Sequence, residues 1–205
     1  MIENNFNSNL KKEEFKISWK GEKIKFYLNK PGKHNIYNAL AAVAVGFINN
    51  MSPESIQNGL NKIDFSDLRM EIKELANGAV VINDSYNANP ISVRAAVDVL
   101  TEMEAKRKIA VLASMLELGE MEKKAHLEIG EYIAKQNLDV LITVGEIAEL
   151  IAEGAKKTAM PVEKIFSFPD KESTLKFLKD NLKQDDLLLV KGSRSNQMEK
   201  IVEGL

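Results

Sequence analysis

The chain of 205 residues has no cysteine, one tryptophan, two histidines and five prolines. Without thiols there are no disulfides, no thiolate nucleophile and no zinc–thiolate centre. His34 and His126 alone are too few for a histidine-rich metal site. No stretch approaches the roughly 20 apolar residues of a spanning helix, and the opening MIENNFNSNLKKEEF lacks an apolar signal core. No membrane partner is expected. Lysine and arginine total 28 against 30 acidic residues, a net charge of −2, and no basic block stands out. Nucleic acid is therefore not an expected partner either. Two nucleotide-binding signatures, GxxxxGK[ST] and GxGxxG, are absent. A reducing cytoplasm is compatible with the missing cysteine, and a cytoplasmic monomer is the expectation.

What is present is enough for a core, since 44% of residues are hydrophobic. The first fourteen residues or so are polar and read as a frayed tail. FKISWKGEKIKFYL (15–28) alternates about Lys20-Gly21, the pattern of a β-hairpin. From about Asn35 an Ala/Val/Leu-rich helix follows, expected to be buried on most of its circumference. Ser52-Pro53 opens a second helix as N-cap and first helical residue. RMEIKEL (69–75) reads as a strand and Asn77-Gly78 as a turn.

Beyond Ala79 short continuous apolar runs alternate with helical stretches: AVVIND, KIAVLAS, DVLITVG, KIFSFP and DDLLLVKG are the strands. Runs of that kind belong to a mostly parallel sheet covered on both faces. The predicted class is α/β, a Rossmann-like doubly wound sheet over 78–205. A thinner part, 1–77, precedes it with a hairpin and two helices.

Ligands of such sheets gather beyond the carboxyl ends of the strands. Three polar clusters fall there: NDSYNANP, ASMLELGEMEKKAH and KGSRSNQME. Asp84 is an acceptor suited to a ribose diol, and Asn89-Pro90 starts a helix whose N–H groups favour an anion. The same residues also make an ordinary strand-to-helix turn. Lys191, Ser193, Arg194 and Ser195 crowd a glycine-containing turn, either an anion site or a solvated loop. Asn35 and Asn38 share one helix face; an amide there can pair with the edge of adenine, or Asn35 can simply cap the helix. Arg69 shares a strand face with Glu71 and is a phosphate contact or a surface cation. His126 receives no role.

Taken in order, PGKHNIYNALAAVAV, DLRMEI, INDSYNANPISVRAAVDVL, MLELGEMEKKAHLEIGEYI and LLLVKGSRSNQMEKIV resemble the Mur ligases. The likeness is to the MurF type, which joins D-Ala-D-Ala to UDP-MurNAc-tripeptide. It runs from about residue 15 to the end and implies the last part of a central ATPase domain (1–77) plus a whole C-terminal domain (78–205) that swings to close on ATP, with Leu75–Gly78 as the candidate hinge. It implies that Asn38 contacts adenine with Asn35 in support, that Arg69 reaches the phosphates, and that Asp84 binds the ribose. Tyr86, Asn87, Asn89, Lys191, Ser193, Arg194 and Ser195 would line the dipeptide site. ATP and magnesium are the implied cofactors, with the magnesium ligands expected outside this stretch. Without a P-loop the chain is expected to be inactive alone. A free-standing dipeptide- or nucleotide-binding module and a folylpolyglutamate-type ligase are the alternatives. One departure is Ala113-Ser114, where the family usually reads Gly-Asp; a loop carboxylate is lost.

Overall fold

The computed structural model describes residues 13–29, 32–63, 68–158 and 160–205. Two compact units divide after Phe65. The first contains β1 (Glu13–Trp19), β2 (Glu22–Leu28), α1 (Lys33–Ile48) and α2 (Pro53–Asn61). β1 and β2 form an antiparallel hairpin. Its two-residue turn needs positive φ at both positions, and Lys20 (φ 50°) and Gly21 (φ 86°) supply it. Phe15, Phe26 and Leu28 pack on Val43 and Phe47 of α1 and on Ile56 and Leu60 of α2. The Gln57 amide donates to the carbonyl of Tyr27 and accepts from its N–H, occupying that stretch of β2 edge. Ser52 caps α2 as expected, its side chain accepting from Ser55 N. α1 begins at Lys33 behind Gly32 (φ 107°), so Asn35 lies in its first turn and is not the cap. Its outer face is not buried as expected: Tyr37, Val45 and Ile48 are exposed. The expected tail, residues 1–12, lies outside the described residues, while Glu13 and Glu14 already belong to β1.

The second unit is a six-stranded sheet. Its strands are β3 (Glu71–Glu74), β4 (Val80–Asp84), β5 (Arg107–Ala113), β6 (Val140–Val144), β7 (Ile165–Phe168) and β8 (Asp186–Lys191). The order is β3-β4-β8-β5-β6-β7. Only β3 runs antiparallel, pairing Glu71 with Asn83 through Glu74 with Val80. The stretch expected in the first part thus joins the second sheet, and the division falls earlier than 77/78. The expected hinge is corrected by the same pairing. Leu75–Gly78 is the turn of a hairpin, closed by Gly78 N to Leu75 O (2.9 Å) and Leu75 N to Ala79 O (2.8 Å). A turn that ties two strands of one sheet cannot swing two bodies apart.

The helices are α3 (Pro90–Glu102), α4 (Glu122–Ile133), α5 (Glu149–Lys157), α6 (Lys171–Asn181) and α7 (Glu199–Gly204). Strand residues alternate between faces. Val81, Val111, Ile142, Val144, Leu188 and Val190 pack with Leu178 of α6 and Ile201 and Val202 of α7. The fully buried Val80, Ile82, Ala110, Leu112, Leu141, Leu187 and Leu189 lie on the other face, under α3 and α5, with α4 packed against both helices. α4 and α5 meet through glycines: a Cβ on Gly130 would overlap the Ile151 carbonyl, and one on Gly154 the Leu127 carbonyl.

Candidate functional site

β4 and β8 end side by side, with Asp84 opposite Lys191. Lys191 is 2% exposed, and its ammonium donates to Asp84 Oδ2 at 2.6 Å and to the Asn87 carbonyl at 2.8 Å. Burial pushes Lys191 below its ordinary lysine value; the Asp84 carboxylate opposes the shift, and the nearby Arg69 charge adds to it. The other Asp84 oxygen accepts from Met70 N at 3.1 Å. Asp84 thus spends one lone pair of each oxygen within the protein and retains further acceptor capacity at its partly exposed side chain.

The segment before β3 is stitched to this corner. Tyr86 N donates to the Leu68 carbonyl (3.0 Å), and the Arg69 guanidinium lies 4.0 Å from the centre of the Tyr86 ring. Leu68 (φ 65°) and Met70 (φ 48°) both adopt left-handed backbone on either side of Arg69. Each such residue costs on the order of 1–3 kcal/mol and persists only where its surroundings enforce it. Here the Asp84 and Tyr86 hydrogen bonds enforce it, and together they hold Arg69 over the ring. Arg69 precedes β3 rather than heading a strand face with Glu71; Glu71 instead accepts from Asn83 Nδ2 (3.2 Å).

The remaining expected residues divide by role. Asn89 caps α3 in a reciprocal box with Ser92, accepting from Ser92 N at 2.9 Å and donating its own N–H to Ser92 Oγ at 3.0 Å. Asn87 is exposed and its side-chain oxygen takes Ala88 N. Ser193 is buried; its hydroxyl accepts from Leu116 N (2.9 Å) and leans on the Ala88 carbonyl (3.4 Å). It braces the loops after β4, β5 and β8. Arg194 is half exposed, and one end of its fork is held by Glu199 at 2.5 Å. Ser195 is exposed beside Asn196. Asn35 (buried) and Asn38 (exposed) belong to α1 of the first unit. The structure therefore brings together Arg69, Asp84, Tyr86, Asn87, Lys191 and Ser193, turns Asn89 to capping α3, and leaves Arg194 and Ser195 exposed on the loop after β8.

Sequence reading passed over three residues. Asn196 ties the β8 and β5 loops, donating to the Ser114 carbonyl (2.8 Å) while Ser114 Oγ donates to Asn196 Oδ1 (3.2 Å). Glu199 orients Arg194. His126 is fully buried, accepts from Met115 N through Nε2 (2.9 Å) and bonds the Glu122 carbonyl through Nδ1 (2.7 Å). A ring that accepts at Nε2 is neutral and carries its proton on Nδ1. No group of three or more His, Asp or Glu among the described residues could hold a metal ion, so no magnesium chemistry is assigned to these side chains. No helix among the described residues is long and apolar enough to cross a membrane.

The family model "Mur ligase, glutamate ligase domain" matches residues 68–194. The chain belongs to the Mur ligase family. The match begins at the strained segment before β3 and ends at Arg194, so it takes in the whole Asp84–Lys191 corner. A UDP-N-acetylmuramoyl-tripeptide–D-alanyl-D-alanine ligase of Bacillus subtilis is 36% identical over 187 residues, 91% of this chain and 41% of the relative. The ligase of the same name from Escherichia coli is 34% identical over 194 residues, 94% of this chain and 41% of the relative. A crystal structure of MurF from Acinetobacter baumannii superposes with a TM-score of 0.81 at 30% identity, covering 93% of this chain and 41% of that one. The chain thus spans well under half the length of the Mur ligases it matches.

Proposed function

We propose that this chain contributes part of an ATP-dependent amide ligase that adds D-Ala-D-Ala to UDP-MurNAc-tripeptide in peptidoglycan precursor synthesis. The observation that carries the reading is the charge at the crest of β4 and β8. Asp84 keeps acceptor capacity at its partly exposed side chain, and Arg69, held over the Tyr86 ring, carries a fork of donors suited to phosphate. Arg69 is assigned to the nucleotide phosphates and Asp84 to the ribose hydroxyls. In the first unit Asn38 is assigned to adenine, with Asn35 in support. Lys191 is too buried to meet a ligand directly and acts by holding Asp84. Tyr86 and Asn87 are exposed candidates for the dipeptide, as are Arg194 and Ser195; Asn89 and Ser193 shape the loops that carry them. The first unit is assigned to the end of the central ATPase domain and the second to the C-terminal domain.

The chemistry needs little covalent help from these residues. The tripeptide carboxylate oxygen attacks the γ-phosphorus of ATP, and ADP leaves. The dipeptide amine then attacks the acyl phosphate carbon, loses a proton, and inorganic phosphate departs. Positioning and charge stabilisation supply the acceleration. Calorimetry of the chain with ADP tests the nucleotide half: binding is expected, and Asp84→Ala should remove it. Phosphate release from Mg-ATP, D-Ala-D-Ala and UDP-MurNAc-tripeptide by the chain alone should stay at the blank. Robust turnover would contradict the reading that the chain contributes only part of the ligase.

A further inference from the structure

Three successive residues of the loop after β5 are clamped by side chains from elsewhere in the second unit. Ser114 is tied to Asn196 through its hydroxyl (3.2 Å) and its carbonyl (2.8 Å). Met115 N donates to His126 Nε2 and Leu116 N to Ser193 Oγ, each at 2.9 Å. Both acceptors belong to buried residues. The next residue, Glu117, adopts left-handed backbone with φ 64°. Glycine enters that region freely, whereas a glutamate is strained there. Such strain persists where the surroundings over-determine it, and it gathers at working sites. The clamps at 114–116 supply the first condition, and the place of the side chain bears on the second.

That place adjoins the corner described above. Ser193 Oγ, which takes Leu116 N, also leans on the Ala88 carbonyl at 3.4 Å, so the loop meets the chain next to Asn87. β8 lies between β4 and β5, with Asp84 and Leu112 both opposite Lys191. The carboxylates beyond these three strands differ in commitment. Asp84 is taken by Lys191 and Met70 N. Glu199 is buried and paired with Arg194. Glu120 and Glu122 follow in the turn that leads into α4, away from the clamps. Glu117 is exposed, and its carboxylate makes no hydrogen bond or ion pair among the described residues. It is an acceptor left free beside a braced backbone.

We propose that Glu117 is a catalytic residue of the ligase, the base that takes the proton of the attacking amine. The role rests on the amide-ligase reading above. As the C–N bond forms at the acyl phosphate carbon, the proton on nitrogen passes to the Glu117 carboxylate. The C–O bond to phosphate then breaks, and its electron pair leaves with inorganic phosphate. The exposed carboxylic acid returns its proton to water. A base of this kind contributes about 10²–10⁴-fold. The test uses a ligase in which this chain replaces the matching 41% of the Bacillus subtilis relative. Glu117→Gln should lower kcat for dipeptide-dependent phosphate release about a hundredfold and leave KM for ATP unchanged. Glu117→Asp should keep more activity than Glu117→Gln. Glu117→Gly makes room for a small carboxylate, and added acetate should restore part of its turnover. In the chain alone, Glu117→Gly should unfold at an equal or higher urea concentration than the wild type, because glycine relieves the left-handed strain. A kcat for Glu117→Gln within about threefold of the wild type, no response of Glu117→Gly to acetate, or a less stable Glu117→Gly would each overturn the proposal. A joined ligase of unaltered sequence that releases no phosphate in response to the dipeptide would overturn the proposed function, and this role with it.

Discussion

Replacing Asp84 by Asn probes the corner on which the nucleotide assignment depends. The substitution preserves shape but removes the charge facing an ammonium that is 2% exposed. Breaking a buried pair by neutralising one partner costs about 3–5 kcal/mol, because the other charge remains desolvated. That is a large share of the roughly 5–15 kcal/mol that stabilises a typical domain. Lys191→Met should cost less, about 1–3 kcal/mol, since Asp84 keeps the Met70 N–H, part of its solvent contact and the nearby Arg69 charge. The double variant, with no buried charge left unpaired, should be more stable than Asp84→Asn alone. The pH dependence has a definite sign. Lys191 is shifted downward in the folded state, so the unfolded chain binds its proton more tightly. Stability therefore rises with pH between the folded and the ordinary lysine values. Asp84→Asn removes the contribution that opposes the downward shift, so its deficit should narrow as pH rises toward the ordinary lysine value. Urea unfolding followed through the amide signals of Val81 and Val190 reports on this unit specifically. An Asp84→Asn loss below about 1 kcal/mol, or a Lys191→Met loss exceeding it, would refute the reasoning.

Three further outcomes follow from the same packing. Gly130→Ala or Gly154→Ala should each destabilise the second unit by about 2 kcal/mol or more, because the added Cβ meets a helix backbone that cannot yield; chemical denaturation measures it. His126→Ala should cost about 1–3 kcal/mol for the orphaned Met115 N–H alone, and hydrogen exchange at Met115 should accelerate. Burial, and next the hydrogen bond to Asp98, push the Tyr132 phenol up to about 12. The folded state keeps that proton longer than the unfolded chain, so its stabilising contribution is complete below the ordinary tyrosine value and is lost as pH rises toward 12. Ultraviolet titration should show the late Tyr132 transition, absent in Tyr132→Phe.

The strands of the second sheet were legible because both of their faces are covered, so they spell continuous apolar runs; Val80–Asn83 and all of β8 are buried. Ser52, Asn89 and Lys20-Gly21 were legible because caps and tight turns are local. β3 and the Asn77-Gly78 turn were legible for the same local reason, but the division drawn at 77/78 parted β3 from β4, its hairpin partner. α1 misled for another reason: its apolar residues run all round the helix, yet Tyr37, Val45 and Ile48 stay exposed. At the site, Asp84 and Lys191 were found by their position at strand ends, though as separate ligand contacts rather than as a pair. Ser193 looked like a contact and is a buried brace, because a hydroxyl at a loop start says nothing of which backbone group it will meet. Asn196 and Glu199 carried no signal apart from lying inside KGSRSNQME.

The most direct measurement joins this chain to the part of a ligase that it does not match. The chain replaces the corresponding 41% of the Bacillus subtilis ligase, and phosphate release is followed with Mg-ATP, UDP-MurNAc-tripeptide and D-Ala-D-Ala. Release above that of the shortened ligase, dependent on the dipeptide and reduced about tenfold or more by Asp84→Ala, is the predicted result. Release equal to the shortened ligase, or indifferent to D-Ala-D-Ala, would contradict the account.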